Sequence, residues 1–429
     1  MNVALLVVAF NRPEPLRRLL NSLSAAQAQK THIDISLIIS IDHSDVPEVT
    51  EIAEDYKWSL GKKRVIKHPR PLGLKKHILD AGDLVDGFDA LVMLEDDLGV
   101  SPYLWRYIEQ SIALSQKHHD IGQVSLYSNV YNETAGLPFL PFLDGHDNYY
   151  SRVPSSWGQL WTKEQWLEFK KWLPYYELHS EALDRRLPPN VRKWPNTSWK
   201  RIFQCFLIDR SKLVLYPRES LTTNYADAGT HHVGGAYHFQ TPLLTYAVDN
   251  YFLSSPDSSR AVYDEYSERE DSDFRAMILS EFGVSDVVMD LYGTRDLSAL
   301  HGRFVITAQN VTGEKLHSFP LGLRPHELNL KKNAVGEMMS HLSLIELQSN
   351  GDIVSTPHRS EIQVDRYRYY HGLPKSILDY FVRLEIQKQR LRPFSRKDAV
   401  KRLIPNSLLM PILRIRRMLN SRRKASSKF

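Results

Sequence analysis

Within the first hundred residues, four apolar runs each break off at polar or charged residues, and helical stretches separate them. Residues 2–10 are apolar and partly β-branched, and the turn Asn11-Arg12-Pro13 ends them, which suits a buried parallel strand. From Pro13 onward, Leu16, Leu19, Leu20 and Leu23 recur at helical spacing, with Arg17 and Arg18 on the other face. Residues 33–41 predict a second strand that stops at Asp42-His43-Ser44-Asp45, and residues 47–60 a helix with its proline in the first turn. Residues 64–67 predict a short third strand and 74–84 a further helix. A fourth strand, residues 90–94, runs straight into Glu95-Asp96-Asp97. Strands alternating with helices predict a doubly wound, mostly parallel α/β sheet. Such sheets bind ligands at the carboxyl ends of their strands. Three of these ends carry Asn11-Arg12, Asp42 and the acidic triplet.

Composition narrows the remainder. At 429 residues the chain exceeds one typical core, and 42% hydrophobic with 24% charged residues excludes disordered, collagenous and coiled-coil classes. The single cysteine, Cys205, excludes an intramolecular disulfide and fits a reducing, cytoplasmic setting. It lies in the apolar stretch 202–208, where a buried structural thiol is expected over a catalytic one. The apolar run at residues 3–10 has no basic region before it and is far shorter than the about 20 residues of a membrane span. Neither standard secretion nor an N-terminal anchor is expected.

Charge is unevenly spread. Residues 386–429 carry 14 Lys and Arg against the single acid Asp398, so the net formal charge of +5 leaves the body mildly acidic. Leu403, Ile404, Leu408, Leu409, Ile412, Leu413, Ile415 and Leu419 alternate with these bases in an amphipathic arrangement broken by Pro405 and Pro411. This pattern predicts a helical tail that touches an anionic membrane surface. It does not predict a nucleic-acid partner, since the tail offers only Phe394 and Phe429 for stacking.

Between these ends, residues 123–238 are rich in aromatics, residues 258–273 read as a polar linker, and residues 280–370 contain β-like stretches at 304–308 and 353–355. The predicted organisation is a catalytic domain 1–257, divided at 122/123, a smaller α+β domain 274–384 without an assigned role, and the tail 385–429. Leu323-Arg324-Pro325-His326-Glu327 is most simply a turn with surface charges.

The acidic triplet carries the most chemistry. Adjacent carboxylates at a strand end coordinate a hard divalent cation, Mg²⁺ or Mn²⁺, through oxygen. Such a cation would bridge a diphosphate and neutralise charge developing on a leaving group. The plain alternative is an acidic turn. Asp42 would accept hydrogen bonds from a nucleobase or ribose, although an Asp opening a turn is commonplace. The segment from His68 to Lys75 would wrap a nucleotide, with Gly73 admitting close backbone approach, or simply lead into the helix.

These residues resemble a family. Val8-Ala9-Phe10-Asn11-Arg12-Pro13, the strand ending in Asp42, Leu72-Gly73-Leu74 and Met93-Leu94-Glu95-Asp96-Asp97-Leu98 occur in order, followed by Ser156-Trp157-Gly158 and by Leu221-Thr222-Thr223-Asn224 leading to Ala228-Gly229-Thr230-His231. Over roughly residues 1–240 the set resembles bacterial glycosyltransferases of the glycosyltransferase A fold, and more distantly the N-acetylglucosaminyltransferase I family. The resemblance implies a Rossmann-like domain that transfers a sugar, with inversion, from a nucleotide diphosphate-sugar to a glycan or lipid-linked glycan. It implies that Asp97 ligates the metal, that Glu95 and Asp96 touch the donor's sugar and ribose, and that Arg12, beside Asn11, approaches the nucleotide or diphosphate. By the same likeness Asp42 reads the base, and Trp157 and Gly158 pack beside donor and acceptor. Trp157 and Trp161 are candidates for stacking on sugar faces, or for the core.

An inverting transfer needs a base within reach of the acceptor hydroxyl. Where the N-acetylglucosaminyltransferase I pattern has an Asp after a Trp, this chain has Trp199-Lys200. Asp227 and His231 are the nearest substitutes; His231 would alternatively complete the metal or diphosphate site, and His232 reads as structural. An inactive, scaffolding relative would keep this fold without the chemistry. A nucleotidyltransferase would be expected to carry a glycine-rich loop after the first strand, and Asn11-Arg12-Pro13 has no glycine.

Overall fold

Strand β1 (Asn2–Ala9) is buried from Val3 onward, and alternate side chains serve two cores. Val3, Leu5 and Val7 join one layer with Leu16, Val49 and Trp105, while Ala4, Leu6 and Val8 join another with Ile78, Trp166 and Phe203. Each fully buried aliphatic side chain contributes roughly 1.5–3 kcal/mol relative to exposure. Helix α1 (Pro13–Gln27) starts on its proline and buries the four leucines that its spacing predicts. It leads to β2 (Asp34–Ile41). The computed structural model describes residues 1–227, 239–300, 303–309, 315–331, 333, 342–346 and 369–372.

Helix α2 (Pro47–Asp55) stops short of the predicted residue 60 for a local reason. The Lys63 ammonium donates to the carbonyls of Ala53, Glu54 and Tyr56 at 2.8, 2.7 and 2.6 Å and closes the helix end. Trp58 Nε1 donates to Ile35 O at 2.8 Å and draws the following chain onto β2. Then come β3 (Lys63–Lys67), α3 (Leu74–Gly82), β4 (Ala90–Glu95), β5 (Leu98–Val100), α4 (Leu104–Ser115) and β6 (Ile121–Ser125).

The chain then adds the hairpin β7 (Tyr131–Asn132) and β8 (Leu137–Pro138), followed by β9 (Asn148–Ser151) and β10 (Gln159–Thr162). Helices α5 (Lys163–Asp184), α6 (Pro189–Arg192) and α7 (Trp199–Asp209) follow, with β11 (Leu213–Pro217), β12 (Thr222–Asn224) and β13 (Val262–Tyr263) after them. The long α5 opens with a capping box between Thr162 and Gln165. It packs on α7 through Trp166, Phe169, Phe203 and Phe206. Trp161 stands in this cluster, fully buried and edge-on to Trp166 at 5.0 Å, so it is a core residue and unavailable to a sugar. Cys205 is likewise buried, and burial pushes its thiol above the ordinary range.

The nine-stranded sheet runs β13-β9-β11-β6-β10-β4-β1-β2-β3. It is parallel from β4 to β3, and β10 inserts antiparallel between β4 and β6. The fold class is therefore α/β with a large, mostly parallel central sheet, as the alternation of runs predicts.

Residues 258–273 are not a linker. β13 pairs parallel with β9 at the sheet edge, and Glu268 is fully buried, its carboxylate accepting from Tyr292 N at 2.8 Å. Arg269 pairs with Asp271 at 2.5 Å, and Arg295 pairs with Asp264. The segment is polar because its charges satisfy one another inside the protein, a pattern that hydropathy alone reads as solvent-exposed. Beyond it lie α8 (Ser272–Phe282), β14 (Val287–Asp290), β15 (Phe304–Thr307), β16 (Lys315–Phe319) and β17 (Leu342–Glu346), the strands forming a separate four-stranded sheet in the order β14-β15-β17-β16. The expected strand at 353–355 and the basic tail lie outside the described residues. Among the described residues no helix is long and apolar enough to cross a membrane.

Candidate functional site

β1 is the central strand from which the chain winds outward through β2 and β3, then returns on the other side as β4. The crevice above the β1/β4 boundary is thus a topological switch point, where open α/β sheets bind ligands. Val8 stands level with Glu95, so the residues after β1 meet the acidic triplet directly. Arg12 pairs with Asp96 through one nitrogen and donates to Asp97 Oδ2 at 3.2 Å through another. Burial opposes the Arg12 charge, yet the two carboxylates outweigh it and raise its pKa above the ordinary value. Asn11, beside it, is exposed at the rim.

The triplet's three carboxylates outnumber the cations that face them, Arg12 and Lys200. Burial first, then Asp97 and Asp96, push Glu95 up to about 8, against the opposing pull of Arg12 and Lys200. Burial raises Asp96 to about 6, and its Arg12 partner restrains the rise. Asp96 is 3% exposed and faces Arg12 and the Phe10 backbone. Asp97 Oδ1 is buried with no hydrogen-bond partner. An orphaned carboxylate oxygen beside two further acids fits a monodentate ligand for a hard cation. Among the described residues no group of three His, Cys, Asp or Glu side chains is placed to hold a metal.

The entry of β5 and the exit of β12 are tied together beside the triplet. β12 pairs antiparallel with β5, and Tyr225 N donates to Asp97 O at 3.2 Å. Beyond it, Asp227 forms an ion pair with Arg18 of α1, whose guanidinium lies 4.3 Å over the Tyr225 ring. His231 and His232 lie outside the described residues.

At the end of β2, Asp42 does something that its sequence position does not reveal. Its carboxylate accepts from His43 N at 2.8 Å, Leu72 N at 2.9 Å and Gly73 N at 3.0 Å. Burial disfavours the charge, but these backbone donors prevail and hold its pKa below the usual value. The loop from His68 to Gly73 is thereby clamped to β2. Gly73 has φ 75° at the start of α3, and Lys75 follows in the first turn on the wall of a groove of about 450 Å³ that also includes Leu72, Lys76 and Lys170.

On the other side, the turn Ser156-Trp157-Gly158 precedes β10. Gly158 has φ 92°, and its carbonyl accepts from Leu126 N at 2.9 Å. Thr222 Oγ1 donates to Trp157 O at 2.6 Å, so β12 pins the turn. The Trp157 ring meets Tyr127 at 5.0 Å and Phe239 at 4.6 Å. Lys200 Nζ lies 5.2 Å over Trp157 and equally over Trp194, and donates to Glu133 Oε1 at 3.3 Å. Sequence reasoning noticed Lys200 as a departure but missed Glu133, which sits between Asn132 and Thr134 without any distinguishing pattern.

Sheet order and the switch point define an α/β domain with a large, mostly parallel central sheet, consistent with the glycosyltransferase A fold. Its residues 4–154 match the family model described as glycosyl transferase family 2. Among solved structures, the chain is similar to S. aureus TarS 1–349 in complex with UDP at 14% identity, with 52% of this chain and 60% of that one covered and a TM-score of 0.32. The same protein in complex with UDP-GlcNAc gives 14% identity, 54% and 60% coverage and a TM-score of 0.34. GalNAc-T7 with UDP, GalNAc and Mn²⁺ gives 13% identity, 50% and 42% coverage and a TM-score of 0.34. The chain thus spans 60% of the length of the TarS 1–349 chains it matches. No curated protein matches it.

Proposed function

We propose that the chain transfers a sugar, with inversion, from a nucleotide diphosphate-sugar to a glycan or lipid-linked glycan acceptor, dependent on Mn²⁺ or Mg²⁺. The observation that carries this reading is the unpartnered, buried Asp97 Oδ1 at the switch point of the parallel sheet, beside Arg12 and two further carboxylates. Asp97 would hold the cation, which when bound supplies charge neutralisation for the departing diphosphate. Arg12 orients Asp96 and Asp97 and is the cation nearest the diphosphate. The loop clamped by Asp42 forms the nucleotide's wall, and Trp157 with Gly158 forms the floor beneath the sugar. The basic tail at 385–429 would bring this site to an anionic membrane surface where a lipid-linked acceptor resides.

The test is donor binding by calorimetry with uridine, guanosine and cytidine diphosphate-sugars, in Mn²⁺ or in EDTA. One donor should bind with metal and lose at least about tenfold in affinity with EDTA or in Asp97→Ala, a loss of about 1.4 kcal/mol. Absence of binding by every donor in Mn²⁺ and in Mg²⁺ would sink the proposal.

A further inference from the structure

A transferase of this kind must remove a proton from the acceptor hydroxyl, and the position where the resembled pattern has an acid is here Lys200. Lys200 is N-terminal on α7, where a positive charge opposes the helix dipole, so the local helix does not favour it. Its partner does. Lys200 is only 13% exposed, bridges the faces of Trp157 and Trp194, and holds the Glu133 carboxylate at 3.3 Å.

Glu133 comes from a different element and is rigidly presented. It occupies the turn between β7 and β8, where Asn132 Oδ1 accepts from Thr134 N and Ala135 N, both at 3.0 Å. Gly136 N donates to Asn132 O at 2.9 Å, and Thr134 Oγ1 donates to Asn190 Oδ1 at 2.8 Å. Tyr131 of the same hairpin meets Phe239 at 6.0 Å, and Phe239 in turn meets Trp157. Two routes therefore tie the Glu133 turn to the sugar floor: the aromatic chain and the Lys200 bridge. The Glu133 side chain remains 31% exposed, open to an arriving acceptor.

We propose that Glu133 is the general base of the transfer and that Lys200 is its positioning residue. This rests on the transferase reading above. The Glu133 carboxylate takes the proton of the acceptor hydroxyl as that oxygen bonds to the anomeric carbon. The bond from the anomeric carbon to the diphosphate oxygen breaks, and its electron pair leaves on the nucleoside diphosphate. Lys200 keeps the Glu133 carboxylate aimed, through the 3.3 Å ion pair that fixes it beside Trp157.

The experiment uses the full chain, with the donor panel and Mn²⁺ as probes and slow donor hydrolysis by water as turnover. Glu133→Gln should bind donor as the wild type does while losing at least about 100-fold in kcat. Glu133→Asp should fall between the two. Lys200→Met should lose at least about tenfold in kcat with donor binding kept, and Lys200→Arg, which keeps a cation beside Glu133, should restore most of the rate. A merely structural lysine would lose donor binding and thermal stability along with the rate. Turnover by Glu133→Gln within threefold of wild type, or a deeper loss in Asp227→Asn than in Glu133→Gln, would overturn the assignment. So would loss of donor binding in Glu133→Gln matching its loss of turnover. A wild type that binds no donor would instead refute the transferase reading itself, and the base with it.

Discussion

The two flanks of the crevice are built differently. On the flank at the end of β2, main-chain groups do the work: Asp42 gathers three backbone N–H groups and fixes a loop only thirty residues away in sequence. On the flank before β10, long side chains meet from separate elements, with Trp157 before β10, Lys200 on α7, Glu133 on the hairpin and Phe239 after β12. A flank made of strand ends and turns is written in local residue types. One made of side-chain encounters is written in tertiary packing.

This difference decides what could be read in advance. The strands that hold Arg12, Asp42 and Asp97 announce themselves, because a buried parallel strand must be apolar and must end abruptly. The leucines of α1 face inward as their spacing requires. The end of α2 was hidden because Lys63, the residue that caps it, belongs to the next strand. Residues 258–273 were hidden because mutually satisfied charges look like a solvated segment, and Trp161 offered the same side chain as Trp157 with the opposite fate. Nothing in Asn132-Glu133-Thr134 points to Lys200; only the folded hairpin brings them together.

The strongest way to break the comparison is at Asp42, 6% exposed and bonded to three backbone donors. Asp42→Ala should destabilise by about 4 kcal/mol, since charged hydrogen bonds are lost together and a cavity is left. Urea denaturation would show the midpoint falling with an unchanged slope. Asp42→Asn separates two roles. A carboxylate offers about four acceptor positions, three of which are occupied here, so one remains for a nucleobase. Normal stability with lost donor binding in Asp42→Asn would mean direct reading of the base. Joint loss of both would mean that the clamp alone matters.

On the flank before β10, Gly158→Ala should cost about 2–3 kcal/mol, less than the Asp42 change. Its φ of 92° disfavours any side chain, and an added Cβ would stand 2.8 Å from Thr222 Cγ2 and Oγ1 and 3.0 Å from Leu126 Cβ. Thr222 cannot swing away without giving up its 2.6 Å bond to Trp157 O. The substitution should therefore disturb the Trp157 floor as well as stability, visible as altered tryptophan fluorescence in the folded state. A variant with wild-type stability and spectrum would show that the β12 contact does not pin this turn.

Gly73→Ala is the matched control and should have the smallest effect, about 1 kcal/mol. Its φ of 75° imposes the same kind of backbone penalty, but an added Cβ would meet nothing within 4 Å. The two glycines thus divide strain from crowding: both carry the first, and only Gly158 carries the second. Thermal denaturation of the pair measures the difference directly. If Gly73→Ala costs as much as Gly158→Ala, backbone conformation dominates on both flanks and side-chain packing is not what distinguishes them. If Gly73→Ala is mild in stability yet weakens donor binding tenfold, the open space above its Cα is where the nucleotide lies, and the loop held by Asp42 is its wall.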